Sequence, residues 1–218
     1  MYALNGRVAL VTGGGGGIGR AIARRLARDG MAVAVLDRDG GAAQTVAAEI
    51  GGLAITADVT KPEQVDRAVD TILGGLEKID LLVNNAGVAW MGPALDTPLE
   101  ALQAMLRVNI EGTFIVSRAV LPYMIARRRG SVVNLASWAG KTGPAYFAGY
   151  SASKFAVIGL TQGARDGAAR YPGQCDLPGD RYRHSDAHRD RGTTAPLRAP
   201  GDRRAGKVYP DRARLDAR

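Results

Sequence analysis

The stretch Arg7-Val-Ala-Leu-Val-Thr-Gly-Gly-Gly-Gly-Gly-Ile-Gly19 decides the fold of this chain. A short apolar run, typical of a buried strand, leads directly into a glycine tract, and a helical pattern of Ala, Leu and Arg follows from Ile18. Without Cβ atoms, backbone amides and a helix N-terminus can approach a pyrophosphate closely. A glycine tract can also be a flexible turn, but its place between a strand and a helix favours a dinucleotide site.

The glycines fit two spacings equally well. Gly-x-Gly-x-x-Gly is matched by Gly14, Gly16 and Gly19, whereas Gly-x-x-x-Gly-x-Gly is matched by Gly13, Gly17 and Gly19. The tract alone therefore leaves its register open.

Apolar strand-like runs alternate with helical patterns over the first 163 residues, which is typical of βαβ units and a parallel sheet. The predicted strands are residues 7–11, 32–36, 53–56, 81–83 and 131–135, and the predicted helices are residues 18–28, 41–50, 62–76, 99–127 and 150–169. This order predicts a single α/β domain with a doubly wound parallel sheet, the Rossmann architecture.

Asp37 ends the second predicted strand, where a carboxylate can accept both ribose hydroxyls of NAD and repel the 2′-phosphate of NADP. The alternative is a surface aspartate in a turn with Asp39 and Gly40. Arg38 keeps NADP open, because a guanidinium can pair with that phosphate. The sequence thus favours NAD, with NADP as the minority interpretation.

Composition limits the function classes. The 218 residues are enough for one domain, and no apolar run approaches the roughly 18 residues of a membrane span. A single cysteine cannot build a disulfide framework, which favours a reducing cytoplasm. The net charge of +8 on its face suggests nucleic acid as a partner.

The average charge hides a change in composition. Residues 164–218 contain 13 Lys and Arg against 8 Asp, but only four Ile, Leu, Val, Met or Phe. So few apolar side chains cannot offset the entropy of ordering a chain. We therefore expect a dinucleotide-binding domain over residues 1–170, and a basic tail over residues 171–218 that is disordered or weakly held.

Four further signals lie downstream of the glycine tract in a fixed order. They are Asn84-Asn-Ala-Gly87 after the fourth strand, Asn109 within a long helix, Ser137 after the fifth strand, and Tyr150 and Lys154 four residues apart. With the glycine tract, they resemble the short-chain dehydrogenase/reductase family over roughly residues 5 to 163. The resemblance implies that the register is Gly13, Gly17 and Gly19.

Tyr150 and Lys154 share one face of a helix because they are four residues apart. An adjacent ammonium and an oxidised nicotinamide favour the phenolate, so Tyr150 can take a proton from an alcohol or return it to a ketone. By resemblance, Ser137 hydrogen-bonds the substrate oxygen, Lys154 also holds the ribose hydroxyls, and Asn109 positions a water relay. The alternatives are an exposed Tyr/Lys pair on a surface helix and an asparagine at a helix bend.

The resemblance implies NAD as cofactor and a small alcohol or ketone as substrate. The cofactor residues that it implies are Thr12, Gly13, Gly17, Ile18, Gly19, Asp37, Asp58, Val59, Asn85, Ala86, Gly87, Tyr150 and Lys154. The residues that it places at the substrate are Trp90, Met91, Trp138, Tyr146 and Phe147, which favour a polyol, a hydroxyketone or a 3-oxoacyl compound. Self-association through the helices that hold Asn109 and Tyr150 is also implied.

After the catalytic helix, the family continues with a strand reading approximately Ile-Arg-Val-Asn-Ala-Ile-Ser-Pro-Gly, which this chain lacks. The codons of Tyr171-Pro-Gly-Gln-Cys-Asp-Leu-Pro-Gly-Asp180, read one nucleotide later, are compatible with that strand at every position. We therefore expect a frameshift between about Gly163 and Tyr171. Without the last strands, the chain as written is expected to be poorly soluble and weakly active.

Several features of the tail are then reinterpreted. Cys175, His184 and His188 could be drawn as a zinc site, but nothing near them supplies a scaffold, so no metal is expected. The arginines lack interleaved aromatic residues, so neither nucleic acid nor membrane is expected as a partner. The rival function classes are an inactive partial Rossmann fold with residual nucleotide binding and, with less support, a basic-tailed nucleic-acid binder.

Overall fold

A computed structural model describes the backbone of residues 4–168. Its strands are β1 (Val8–Thr12), β2 (Ala32–Asp37), β3 (Leu53–Thr56), β4 (Leu81–Asn84) and β5 (Ser131–Asn134). Its α-helices are α1 (Gly17–Arg28), α2 (Gly40–Ile50), α3 (Pro62–Leu76), α4 (Leu99–Leu106), α5 (Thr113–Ala126) and α6 (Ala148–Ala168). Short 3₁₀ helices cover Ala94–Asp96 and Trp138–Gly140.

The five strands form one parallel sheet in the order β3-β2-β1-β4-β5. The chain moves outward from β1 to β3 and then crosses back to β4, so the order reverses beside β1. In such sheets, ligands bind at the carboxyl ends of the strands at the point of reversal. The predicted α/β class and parallel sheet are confirmed.

Both faces of the sheet are covered, because its central strands are apolar on both sides. All five residues of β1 are buried, with Val8 and Leu10 packed toward α3 and α5, and Ala9 and Val11 packed toward α1 and α2. Two separate apolar clusters result, one on each face. This arrangement is the doubly wound form that the sequence predicts.

The single helix predicted over residues 99–127 is wrong in detail. The chain forms α4, then a π-helical segment at Arg107–Gly112, and then α5. The segment lies where Gly112 meets another part of the chain, since a Cβ on Gly112 would lie 2.7 Å from Cγ2 of Val59. Inserted π turns are frequent at functional sites, and this one contains Asn109.

Several sequence-based expectations concern residues outside those described. They are the tail over residues 171–218, the domain boundary at residue 170, the frameshift, and the metal interpretation of Cys175, His184 and His188. Within residues 4–168, no helix has both the length and the apolar character that crossing a membrane requires. Among the same residues, no group of three His, Cys, Asp or Glu side chains is arranged to hold a metal ion.

Candidate active site

The backbone decides between the two glycine registers. Gly13 and Gly17 have φ of +61° and +49°, values that residues with a Cβ rarely adopt. A Cβ on Gly19 would overlap the carbonyl oxygen of Gly13, whereas a Cβ on Gly16 would enter open space. The structure thus requires glycine at the second spacing, Gly13, Gly17 and Gly19.

The glycine loop is fastened to the end of β4 by Thr12 and Asn85. Asn85 Nδ2 donates to the carbonyl oxygens of Thr12 and Gly13, each at 3.0 Å. The Thr12 hydroxyl accepts from the backbone amides of Asn85 and Ala86, each at 3.1 Å. Thr12 is buried beneath the loop, and its hydroxyl therefore holds the two strand ends together.

Asp37 lies at the carboxyl end of β2, beside the glycine loop. Its Oδ2 accepts from the backbone N–H of Gly15 at 3.0 Å, and its Oδ1 accepts from the N–H of Asp39 at 3.0 Å. The carboxylate is thus fixed in orientation at the edge of the cleft, as a group that binds ribose hydroxyls needs to be. Arg38, the residue that leaves NADP open, lines the same cleft.

Asp58 follows β3 and is held by its own turn. Its Oδ1 accepts from the backbone N–H of Thr60 at 2.9 Å and from the Thr60 hydroxyl at 2.8 Å. Burial acts to raise the pKa of Asp58, but these hydrogen bonds, together with Lys61 and Arg38, outweigh it and hold the pKa below its ordinary value. The carboxylate is therefore ionised near neutral pH and can accept hydrogen bonds.

Tyr150 and Lys154 lie one turn apart on α6, as their spacing predicts. Lys154 Nζ is 5.8 Å from the centroid of the Tyr150 ring and donates to the carbonyl oxygen of Leu135 at 2.7 Å. The lysine side chain is buried, and this burial lowers the pKa of its ammonium group. The cation is thus anchored beside the phenol at the carboxyl end of β5.

Ser137 begins the 3₁₀ helix Trp138–Gly140, where its Oγ accepts from the backbone N–H of Ala139 at 3.2 Å. This use of Oγ as an acceptor leaves its proton to be donated. The 3₁₀ helix packs closely on α6, since a Cβ on Gly140 would lie 2.8 Å from the carbonyl oxygen of Lys154. Close packing fixes the turn that carries Ser137 against the helix that carries Tyr150.

Asn109 is buried in the π-helical segment. Its Oδ1 accepts from Val88 N–H at 2.8 Å, and its Nδ2 donates to the Val88 carbonyl at 2.9 Å. A Cβ on Gly87 would lie 3.1 Å from Asn109 Oδ1 and 3.6 Å from Lys154 Nζ, so all three residues meet. Asn109 therefore lies at a helix irregularity and also beside the cleft residue Gly87, so its two sequence-based interpretations, a helix bend and a functional residue, are compatible.

A cleft of about 680 Å³ lies along the carboxyl ends of the strands, within the size range of small-molecule sites. The sequence-derived residues that line it are Gly13, Ile18, Asp37, Asp58, Val59, Asn85, Ala86, Gly87, Tyr150 and Lys154. Those that do not line it are Thr12, Gly17, Gly19, Asn109 and Ser137, together with the five residues expected at the substrate, Trp90, Met91, Trp138, Tyr146 and Phe147. Thr12, Gly19 and Asn109 support the cleft through the contacts above, Gly17 shapes the loop through its positive φ, and Ser137 lies on the turn packed against α6.

Sequence reasoning missed several residues of the site. Ser153 lies between Tyr150 and Lys154 in the sequence and is completely buried. Its neighbours in the sequence do not predict that burial. Arg107 lines the cleft from the start of the π-helical segment, and no motif in the sequence singles it out. The contact of the Leu135 carbonyl with Lys154 was not predictable either, because every residue has a backbone carbonyl and the sequence does not indicate which one is used.

Large aromatic side chains lie next to Ser137 and a few residues before Tyr150 in the sequence. Trp138 and Tyr146 are each more than three-fifths exposed, and the Phe147 ring centroid lies 6.1 Å from that of Tyr150. Tyr146 has φ of +68°, and its carbonyl accepts from Gly92 N–H at 2.9 Å. Backbone strain of this kind is held by surrounding structure and is frequent at ligand sites.

The fold and the cleft define a dinucleotide-binding α/β protein with a Tyr/Lys pair, and comparisons with known proteins identify its family. The family model "short chain dehydrogenase" matches residues 7–172. The chain belongs to that family, which confirms the resemblance read from the motifs.

The sorbitol dehydrogenase of Cereibacter sphaeroides is 42% identical over 164 residues, covering 74% of this chain and 64% of that protein. This chain thus spans just under two thirds of that relative. A solved structure of NAD⁺-bound xylitol dehydrogenase is 40% identical, with a TM-score of 0.75 over 81% of this chain and 69% of that one. The 3-ketoacyl-(acyl-carrier-protein) reductase from Brucella melitensis, complexed with NADH, is 34% identical, with a TM-score of 0.76 over 80% and 74%.

Proposed function

We propose that this protein is an NAD(H)-dependent oxidoreductase that interconverts a secondary alcohol and a ketone. One observation carries the proposal: Tyr150 and Lys154 line the same cleft as Gly13, Asp37 and Asp58. A proton-transferring pair and a dinucleotide cradle thus share one cavity. The family membership, and relatives whose names specify dehydrogenases and reductases, support the same chemistry.

The residues present fit a dinucleotide. The glycine loop leaves no room for a Cβ at Gly13 or Gly19, which is the geometry that lets a backbone approach a pyrophosphate. Asp37 and Asp58 would hold the ribose and the adenine end, and Gly87 with Lys154 would meet the nicotinamide ribose. When bound, the nicotinamide supplies the chemistry of accepting or returning a hydride. NAD is proposed over NADP because Asp37 would repel a 2′-phosphate.

The chain's own residues would move the proton. Tyr150 takes the hydroxyl proton of an alcohol as the carbinol carbon loses hydride, and it returns a proton to the ketone oxygen in the reverse direction. The Lys154 ammonium would supply a positive charge beside that ring, 5.8 Å from its centroid. Ser137 donates a hydrogen bond to the substrate oxygen, and Asn109 holds the Val88 backbone behind Lys154 in support of a water relay.

The substrate class proposed is a polyol, a hydroxyketone or a 3-oxoacyl compound. Relatives include a sorbitol dehydrogenase and a 3-oxoacyl-[acyl-carrier-protein] reductase, which is 41% identical to this chain. The exposed rings of Trp138 and Tyr146, close in sequence to Ser137 and Tyr150, would offer apolar surface to a bound substrate, which suits either a carbon chain or a polyol. A panel of these three classes, assayed by NAD⁺ reduction or NADH oxidation, distinguishes them.

The decisive experiment compares two proteins. One is the chain as written, and the other is a version restored to frame near codon 164, with resequencing across codons 160–180 to test the proposed frameshift. We expect turnover in the restored version and weak or no turnover in the chain as written. Absence of turnover in both, with NADH still bound, would favour the inactive nucleotide binder and contradict the enzyme.

Self-association through α4–α6 and a cytoplasmic location also belong to the proposal. Phe114 on α5 and Phe155 on α6 are about half exposed, and such apolar groups are typical of a surface that pairs with another copy. Light scattering of native protein and of a Phe155→Arg variant tests this. A native monomer at every concentration would contradict it.

A further inference from the structure

Ser153 joins the catalytic turn of α6 to the π-helical segment. The side chain is completely buried. Its hydroxyl donates to the carbonyl oxygen of Tyr150 at 2.7 Å and accepts from Asn109 Nδ2 at 2.9 Å. A hydroxyl has only one proton, so the Ser153 hydroxyl donates its single hydrogen bond to the backbone of Tyr150. Its oxygen accepts the hydrogen bond from Asn109, which lies in another element.

The Asn109 amide is oriented by two bonds to one backbone residue. Val88 donates to its Oδ1 and accepts from its Nδ2, and only one assignment of oxygen and nitrogen allows both. The second Nδ2 proton is the one directed at Ser153. Both amide protons and the amide oxygen therefore have defined partners.

A continuous path follows from Tyr150 through Ser153 and Asn109 to Val88. Its far end is next to Gly87, which lines the cleft and approaches both Asn109 Oδ1 and Lys154 Nζ. The near end is the peptide that carries the Tyr150 ring. The hydroxyl of Ser153 thus lies between the proton-transferring turn and the backbone beside the proposed nicotinamide ribose.

We infer that Ser153 is a positioning residue, which sets the placement of the Tyr150–Lys154 turn relative to the Gly87–Val88 backbone through Asn109. The inference rests on the proposed function, because it concerns the nicotinamide end of the cleft. It adds a residue for which the family resemblance implied no role. Its effect reaches the cofactor through other residues and not by contact.

Loss of the hydroxyl should affect one end of the cleft. Without it, a buried Asn109 proton lacks its acceptor, and the amide can restore a partner only by moving away from Val88. The adenine end is held by Asp37 and Asp58, which follow β2 and β3 and do not belong to this path. Nicotinamide binding should therefore weaken while binding of the adenylate portion is retained.

The test uses the full chain with three substitutions. Ser153→Ala removes the hydroxyl, and Ser153→Thr keeps it, because threonine in a helix can still donate to a preceding carbonyl. Ser151→Ala is the matched control: this serine is also buried on the same turn, but its hydroxyl has no partner in the described part of the chain. For each variant, hydrogen exchange of the Val88 amide and dissociation constants for NADH and for AMP are measured.

With Ser153→Ala, we expect the Val88 amide to exchange about tenfold faster and NADH to bind about tenfold more weakly, with AMP changed less than twofold. Ser151→Ala should resemble the native chain, and Ser153→Thr should keep the slow Val88 exchange because it retains the hydroxyl, although its extra methyl group in a filled site lowers stability. Unchanged Val88 exchange in Ser153→Ala would overturn the inference, as would equal weakening of NADH and AMP.

The same set separates failure of the inference from failure of the proposed function. If the native chain bound AMP but not NADH, the proposed function would be wrong, yet Val88 exchange would still decide whether Ser153 positions that backbone. If NADH binding were intact in Ser153→Ala while Val88 exchange rose, the path would exist without serving the cofactor, and the inference would be wrong.

Discussion

The two halves of the sheet build their parts of the cleft by different means. Around β1, β2 and β3, the site consists of glycine backbone and the carboxylates of Asp37 and Asp58. Asp58 is held by the turn that follows it, and Asp37 is held by the glycine loop that follows the neighbouring strand β1. Around β4 and β5, it consists of buried polar side chains whose partners are far away in sequence. The nucleotide half is thus built locally and the catalytic half at long range.

The polar contacts of the catalytic half cross several elements. Asn84 at the end of β4 donates to Ser117 at 3.0 Å and to Asn134 of β5 at 2.8 Å, and Asn134 donates to Thr161 of α6 at 2.9 Å. Buried polar groups cost free energy when a partner is lost, so such a network specifies one arrangement of α5, α6 and the strands.

The largest expected effect lies at the reactive end of the catalytic half. Tyr150→Phe should lower turnover of the active form by about 10²–10⁴-fold, because the proton-transferring group is removed. NADH binding, measured by fluorescence titration, should stay within about twofold because the ring remains. Tyr146→Phe is the control. Loss of turnover in Tyr146→Phe but not in Tyr150→Phe would show that Tyr150 is not the proton-transferring residue.

In the nucleotide half, one methyl group should distinguish the two glycine registers. Gly13→Ala should lower the free energy of unfolding by about 1–3 kcal/mol and abolish measurable NADH binding, because Gly13 has φ of +61° and its new Cβ would lie 2.9 Å from Cα of Ala86. Gly16→Ala points into open space and should leave stability unchanged. Urea denaturation with NADH titration measures both, and equal effects of the two substitutions would contradict the assigned register.

The two halves are joined at the other end of the sheet by Asp80. Its carboxylate accepts from Val8 N–H of β1 at 2.9 Å and from Arg127 Nη2 at 3.0 Å. Burial acts to raise the pKa of Asp80, but the hydrogen bonds from Val8 and Arg127 outweigh it, so the pKa is lowered. The ionised form therefore stabilises the fold.

Asp80→Asn should lower the free energy of unfolding at neutral pH by about 1–3 kcal/mol. Because the folded pKa is below the unfolded one, the stabilisation is fully present above the ordinary pKa of aspartate, about 4, and disappears as pH falls through the folded value. Urea titrations at a series of pH values check this. Glu49→Gln, at the exposed ion pair between α1 and α2, should have a smaller effect of the same sign, because Arg20 and Arg24 also hold the pKa of Glu49 below its ordinary value but solvent screens the pair.

The smallest expected effect concerns cofactor choice in the nucleotide half. The native chain should bind NADH more tightly than NADPH, and Asp37→Ser should reduce that preference by about tenfold, since one unfavourable charge contact is removed. Asp39→Ser, two residues further on, is the control. Tighter NADPH binding by the native chain would show that Arg38 and not Asp37 sets the preference.

The fold was predictable to the level of element type and order. Alternating apolar runs and helical patterns identified all five described strands, because a parallel strand buried on both faces has a continuous apolar signature. Boundaries were less accurate: α6 begins at Ala148, two residues before the predicted start, and β5 ends at Asn134. The π-helical segment was not predictable, since its residues also fit a regular α-helix.

The proposed reacting groups and nucleotide carboxylates of the candidate site could be named from sequence, but their placement could be predicted only in part. Tyr150 and Lys154 share a face because helix geometry requires it, and both line the cleft. Ser153 escaped notice because its partner, Asn109, is 44 residues away. No local pattern contains that information.

The sequence by itself determined the order of strands and helices and the parallel sheet, and it singled out Asp37, Tyr150 and Lys154 as candidate site residues. Only the tertiary structure decided which glycine spacing is real, which carbonyl holds the Lys154 ammonium, and how Asn109 is oriented. The physical reason is the range of the interactions. Periodicity follows from backbone geometry over a few residues, whereas burial and hydrogen-bond partners depend on elements that meet only once the sheet has formed.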